Sequence, residues 1–161
     1  MNRIIFLDVD GVLNSAQTWK GPHADSTATL CPVMCDEFAR VVRTTGATVV
    51  LSSTWRLFTE HRAYAKLTAW LLERDITIHS HTPNHNTSRG RGSEIATWLE
   101  EHREEFPNPH FVIIDDDSDM LPRQKPFFVR TTFRDGLTVQ HADGVIQILC
   151  EDNLTLGGKK V

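Results

Sequence analysis

Five short runs rich in β-branched and aromatic residues punctuate the chain: RIIFL at 3–7, ATVVL at 47–51, ITIHS at 76–80, HFVII at 110–114 and FFVRT at 127–131. Each is shorter than an ordinary helix, and such apolar continuity suits strands covered on both faces. Between them, apolar residues recur at helical spacing. In PVMCDEFARVVRTTG, Val33, Met34, Phe38, Val41 and Val42 are expected to share one helical face, with Gly46 ending the helix. Tyr64, Leu67, Trp70 and Leu71 mark a core-facing stripe in TEHRAYAKLTAWLLERD. A third helix, expected to start near Ser93 as its cap, carries Ile95, Trp98 and Leu99. The last holds Ala142, Val145, Ile146 and Leu149.

Strands alternating with amphipathic helices imply right-handed crossovers and a mostly parallel sheet with helices on both faces. The expected fold class is therefore α/β, a three-layer α/β/α sandwich with a Rossmann-like central sheet. A chain of 161 residues suits one domain, placed at 1–155, with LGGKKV at 156–161 a loose tail. Ligands of such sheets sit beyond the carboxyl ends of the strands, where the strand order reverses. The residues that follow each run are thus the ones to inspect for chemistry.

Composition narrows the classes. Forty per cent hydrophobic and 24% charged residues describe an ordinary globular protein. A formal charge of −4 argues against gripping nucleic acid through a broad basic surface, although it leaves room for one terminal phosphate. No apolar run reaches the length of a membrane span, and MNRIIFLDVD lacks the pattern of a secretory signal, so the expected location is cytoplasmic with no membrane partner. Cys31, Cys35 and Cys150 are odd in number and are expected as buried, reduced thiols. Cys31, Cys35 and His23 lack an evident fourth ligand for zinc.

Polar clusters follow the strands in order. Asp8, Asp10 and Gly11 come after the first, and Ser52, Ser53, Thr54, Trp55 and Arg56 after the second. Arg89 and Arg91 precede the third helix, and DDDSD, Asp115 to Asp119, follows the fourth strand. Two carboxylates one residue apart repel each other and lose hydration unless a cation lies beside them.

The motifs LDVDGV, VLSS, the basic residue of RGSEI, and VIIDDDSD resemble, in this order and on these elements, those of the haloacid dehalogenase superfamily, a group dominated by magnesium-dependent phosphatases. More narrowly, LDVDGVLNS, LSSTWR, RGSEIATWLEEH, IIDDDSDM and GLT are similar to the domains of that superfamily associated with bacterial and phage RNA-repair proteins. The resemblance spans most of the chain. It implies a phosphomonoesterase with Asp8 as nucleophile, Asp10 as acid and base, Ser52 as a phosphate ligand, and Arg91 balancing charge where the superfamily more often has lysine. Gly11, Ser53, Arg56 and Arg89 are placed on the substrate side, Arg56 being as well suited to an exposed ion pair. Mg²⁺ is the expected cofactor, held by one oxygen of Asp8, the carbonyl of Asp10 and the acidic cluster: Asp115 and Asp116 are favoured, and Asp119 stands as a candidate behind them.

The physical requirements agree with those roles. A phosphate ester is a dianion that repels nucleophiles, so its hydrolysis needs neutralising charge, fixed donors and an in-line nucleophile. Many phosphatases of the superfamily enclose small substrates under a cap domain, and residues 14–31 and 79–92 leave no room for one. The expected site is open, fit for a nucleotide or the end of a polynucleotide, with no obligate protein partner. His79, His81, His85, Arg89 and Arg91 crowd one loop as further phosphate contacts, and Trp19 and Trp55 lie near the mouth. Two other readings compete: a phospho-acceptor signalling domain, and a catalytically silent relative that binds a partner. The acceptor-like DVD on the first strand disfavours the former, and the presence of both Asp8 and Asp10 disfavours the latter.

Overall fold

The computed structural model describes residues 2–18, 30–85 and 90–151. Arg89, Trp19, His23 and the tail at 156–161 lie outside the described residues. Five strands appear, β1 (Arg3–Leu7), β2 (Thr48–Leu51), β3 (Ile78–His81), β4 (His110–Asp115) and β5 (Phe128–Arg130), with four helices, α1 (Pro32–Thr45), α2 (Arg62–Leu72), α3 (Gly90–Glu101) and α4 (Val139–Cys150). The sheet is wholly parallel with order β3-β2-β1-β4-β5.

Handedness explains the layers. The chain steps outward from β1 to β2 to β3, and right-handed crossovers put α1 and α2 on one face. It then returns across β1 to β4, which reverses the direction of travel and sends α3 to the other face. Burial follows: Ile5, Leu7, Val49, Leu51, Val112 and Ile114 pack with α1, α2 and α4, whereas Ile4, Phe6, Val50, Phe111 and Ile113 pack with Ile95 and Trp98 of α3. Alternate residues of β1 thus feed two separate cores, as a strand's period of two requires.

Local signals set the helix ends, and three features depart from expectation. Pro32 opens α1 with its backbone angle already helical, and Gly46 ends it at φ 63°, its N–H donating to the Val42 carbonyl. Val33, expected on the core face, is 69% exposed. At 100° per residue it falls in line with Glu37, Arg40 and Thr44, while Cys35, Phe38, Ala39, Val41 and Thr45 are buried. The α3 helix begins at Gly90 instead of near Ser93, so Ser93 lies inside it, its carbonyl accepting from the Thr97 hydroxyl. Of the three cysteines only Cys35 is buried; Cys150, at the last turn of α4, is exposed, contrary to expectation.

Parallel register brings the strand ends to one level. Leu7 aligns with Leu51 on one side and Ile114 on the other. The ladder continues one residue further, with Asp8 N–H donating to the Ile114 carbonyl at 3.0 Å and Ser52 N–H to that of Leu7 at 2.9 Å. The strand order reverses between β1 and β4, so this is the crevice where α/β sheets bind ligands.

Candidate active site

Asp8 leaves β1 into that crevice, and Asp115, fully buried, ends β4 beside it. One carboxylate oxygen from each of Asp8, Asp115 and Asp116 lies within 4.8 Å of the others. Three carboxylates so close need positive charge, and Arg91 of α3 supplies part of it: its Nη1 is 2.9 Å from Asp8 Oδ1 and 2.5 Å from Asp115 Oδ2. A single guanidinium nitrogen thus spans both acids, a contact for which arginine's fixed fork of donors is suited.

The electrostatics remain unbalanced toward negative charge. Burial raises the pKa of Asp8, opposed by Arg91 and by a hydrogen bond from the Ser53 hydroxyl. Burial, reinforced by Asp8, pushes Asp115 up to about 7 against the pull of Arg91. Asp116 is raised too, by burial and then by Asp117. For Arg91, burial works against the charge, but Asp8 and Asp115 outweigh it and hold the guanidinium protonated. Raised carboxylates around one point mark a place where a cation would restore balance. The donor set, hard oxygens only, fits a magnesium-like ion.

Gly11 makes room for this cluster. At φ 72° it occupies the left-handed region, and a Cβ there would lie 2.5 Å from Asp116 Oδ2. Its N–H donates to Asn14 Oδ1 at 2.9 Å and its carbonyl accepts from the Thr131 hydroxyl at 2.6 Å. Its N–H is therefore taken, and Gly11 serves the site as a buried turn packed on Asp116 where a substrate contact was expected. Gly11→Ala is expected to weaken Mg²⁺ affinity by about tenfold or more in a calorimetric titration, since displaced carboxylates lose metal on that scale. Unchanged affinity would show that Asp116 does not bind the ion.

Asp10 stands apart from the carboxylate cluster. Its Oδ1 accepts from Asn14 Nδ2 at 2.8 Å and its Oδ2 from Trp55 Nε1 at 2.9 Å. Two donors fix the carboxylate in place while each oxygen keeps a lone pair for another partner. Asn14 went unnoticed in the sequence, although an asparagine three positions beyond the glycine turn is a usable signal. The Ser53 hydroxyl touches Asp8 and accepts from Trp55 N–H, starting the short 3₁₀ turn at Thr54–Leu57 that carries Trp55. Ser52 is buried with its hydroxyl unpartnered in the protein, which leaves it a donor for an incoming oxygen.

Other expected contacts lie elsewhere. Arg56 is buried, neither exposed nor turned to a substrate: Nε donates to the Thr82 carbonyl, Nη1 to the carbonyls of Ser52 and Ser53, and Nη2 to Pro83 and to Glu94 at 2.6 Å. Burial lowers its pKa and Glu94 opposes that shift. It braces the Ser52–Ser53 turn from behind. Asp119 is not in the carboxylate cluster; its Oδ2 accepts from Arg91 N–H at 2.7 Å, satisfying a free donor at the start of α3. His79, His81 and His85 do not gather in a loop. The first two lie on β3, and the three bond Glu105, Tyr64 and Thr97 respectively.

No curated protein and no solved structure matches the chain significantly. No helix among the described residues is long and apolar enough to cross a membrane. One family model, described as the HAD domain in Swiss Army Knife RNA repair proteins, matches residues 4–142, which include every strand except the first residue of β1, and every site residue discussed above. With that match over most of the chain, the five-stranded parallel sheet and the acidic cluster at its switch point belong to a member of this haloacid dehalogenase family.

Proposed function

We propose that the chain is a Mg²⁺-dependent phosphomonoesterase that works through an aspartyl phosphate on Asp8 and accepts a bulky substrate such as a nucleotide or a nucleic-acid end. The observation that carries this reading is the meeting of Asp8, Asp115 and Asp116 with Arg91 Nη1 between two of them. Asp8, Asp115 and Asp116 would hold the ion. When bound, Mg²⁺ would offset the charge of the phosphoryl oxygens.

The protein's own groups carry the proton and bond changes. An Asp8 carboxylate oxygen attacks phosphorus, the bond from phosphorus to the ester oxygen breaks, and protonated Asp10 gives its proton to the departing alcohol. Asp10, now a carboxylate, takes a proton from water as the water oxygen attacks phosphorus. Inorganic phosphate leaves and Asp8 is restored. Arg91 and the Ser52 hydroxyl suit the phosphoryl oxygens, whose negative charge they would meet.

The lengths of the flanking connections support a bulky substrate. The connections after β1 and β3 span residues 8–31 and 82–89, too short for a folded cap. The test is hydrolysis of an aryl phosphate with added Mg²⁺, loss of turnover in chelator, and mass-spectrometric detection of phosphate on the Asp8 peptide after an acid quench. Chelator-resistant turnover would overturn the metal role, and phosphate found on another residue would overturn the nucleophile.

A further inference from the structure

A cleft of about 380 Å³ opens directly beside Asp10, walled by Trp55, Phe58, His61 and Tyr64. These four rings come from one short stretch, the 3₁₀ turn and the start of α2. No lysine or arginine lines the cleft among the described residues. Phe58 is 63% exposed, so no packing requirement of the fold explains an aromatic ring there.

Its inner wall is rigid. Trp55 is tied to Asp10 through Nε1, and the Tyr64 hydroxyl is 2.8 Å from His81 Nε2. His61 Nδ1 accepts the Ala63 N–H, which in the neutral ring places the imidazole proton on Nε2 as a donor. The cleft therefore offers apolar ring surface, one ring N–H donor, and a size in the ordinary range for small-molecule sites. Because Asp10 forms part of its wall, the group leaving from phosphorus must lie in or against it.

We infer that this cleft seats the nucleobase of the nucleotide whose phosphate is removed, with Phe58 and Tyr64 setting the preference for a base-bearing leaving group. The inference rests on the reading of Asp8 and Asp10 given above. Ring walls without cations suit a flat neutral base better than a sugar or a second phosphate, since every base has a face to stack while a sugar needs many hydrogen bonds. Rigid aromatic side chains also give up little conformational freedom on binding.

The experiment compares kcat/KM for nucleoside monophosphates and for glycerol phosphate, and in parallel titrates free adenosine and uridine against the metal-free full chain by tryptophan fluorescence. Nucleotides should be preferred by roughly 5- to 100-fold, the range that one stacked base supplies. Phe58→Ala should remove most of that preference and weaken nucleoside quenching by a similar factor, and Phe58→Trp should restore both. Val139→Ala, a truncation at an exposed apolar residue on α4 away from the cleft, should leave all rates unchanged. Phosphorylated dinucleotides separate the two sources of a base: activity matching the mononucleotides points to a polynucleotide end, and activity far below them to a free nucleotide.

Saturable nucleoside quenching lost in Phe58→Ala supports the seat even if no ester is hydrolysed, a result that would defeat the phosphatase reading alone. No nucleoside binding, a preference untouched by Phe58→Ala, or phosphotyrosine preferred over every nucleotide would overturn the base assignment.

Discussion

Asp8→Asn should abolish turnover, by about four orders of magnitude or more, while the protein stays folded. The size follows from the role: an amide oxygen cannot form the acyl phosphate, and loss of a covalent nucleophile removes the whole route instead of slowing one step. The fold should tolerate the change because the buried Asp8 carboxylate is not a stabilising charge. Burial already raises its pKa, which means that the folded state penalises its ionised form. An asparagine relieves that penalty, and Arg91 keeps Asp115 as its partner. The melting temperature without metal should therefore equal or exceed that of the wild type. Asp10→Asn is the informative contrast. It keeps an acceptor for one of the two donors, Asn14 Nδ2 or Trp55 Nε1, and sets an amide N–H₂ against the other. It should slow turnover and leave Mg²⁺ binding intact, since the Asp10 side chain is not in the carboxylate cluster. Wild-type rates in Asp8→Asn would remove the nucleophile assignment, and wild-type rates in Asp10→Asn the acid–base one.

The meeting of those residues was legible in the sequence because parallel topology makes an ordered prediction. Once five parallel strands are recognised, the residues directly after them must share one edge of the sheet, and Asp8, Ser52 and Asp115 do. Residue type alone went less far. Asp115, Asp116 and Asp119 are chemically equal on paper, and the turn after β4 decides among them. There the Asp117 N–H donates to Asp115 Oδ1 at 2.9 Å, and the chain carries Asp119 onto the start of α3. Arg56 shows a second limit. Four of its five acceptor residues contribute backbone carbonyls, which every residue has, so no side-chain pattern announces a buried brace. Val33 shows a third, because a residue in the first turn of a helix can match an apolar stripe in composition and miss it by angle.

Mg²⁺ should stabilise the protein much more at pH 8 than at pH 5. Asp115 in the metal-free fold titrates at about 7, against an ordinary value of 3.8. Between those two values the folded protein holds a proton that the unfolded chain has released, so the metal-free protein loses stability as pH rises through this window. Below it both states are protonated and no penalty exists; above it both are ionised and the penalty is complete, on the order of a few kcal/mol. Asp8 shifts in the same direction for the same reason, so the two acids reinforce each other. A cation among Asp8, Asp115 and Asp116 favours the ionised forms and so competes with protons for the site. Each pH unit below about 7 should weaken Mg²⁺ binding about tenfold, or about 1.4 kcal/mol, which removes roughly 3–6 °C of the Mg²⁺-induced rise in Tm for a chain of this size. Thermal melts at pH 5, 6, 7 and 8, with saturating Mg²⁺ and with chelator, read this directly. Asp115→Asn should reduce the metal-free slope to the part that Asp8 supplies and abolish most of the Mg²⁺ increment, because the Asp115 carboxylate contributes to both. An increment equal at pH 5 and pH 8 would mean that Mg²⁺ binds without displacing a proton, and its site would then lie away from Asp8, Asp115 and Asp116.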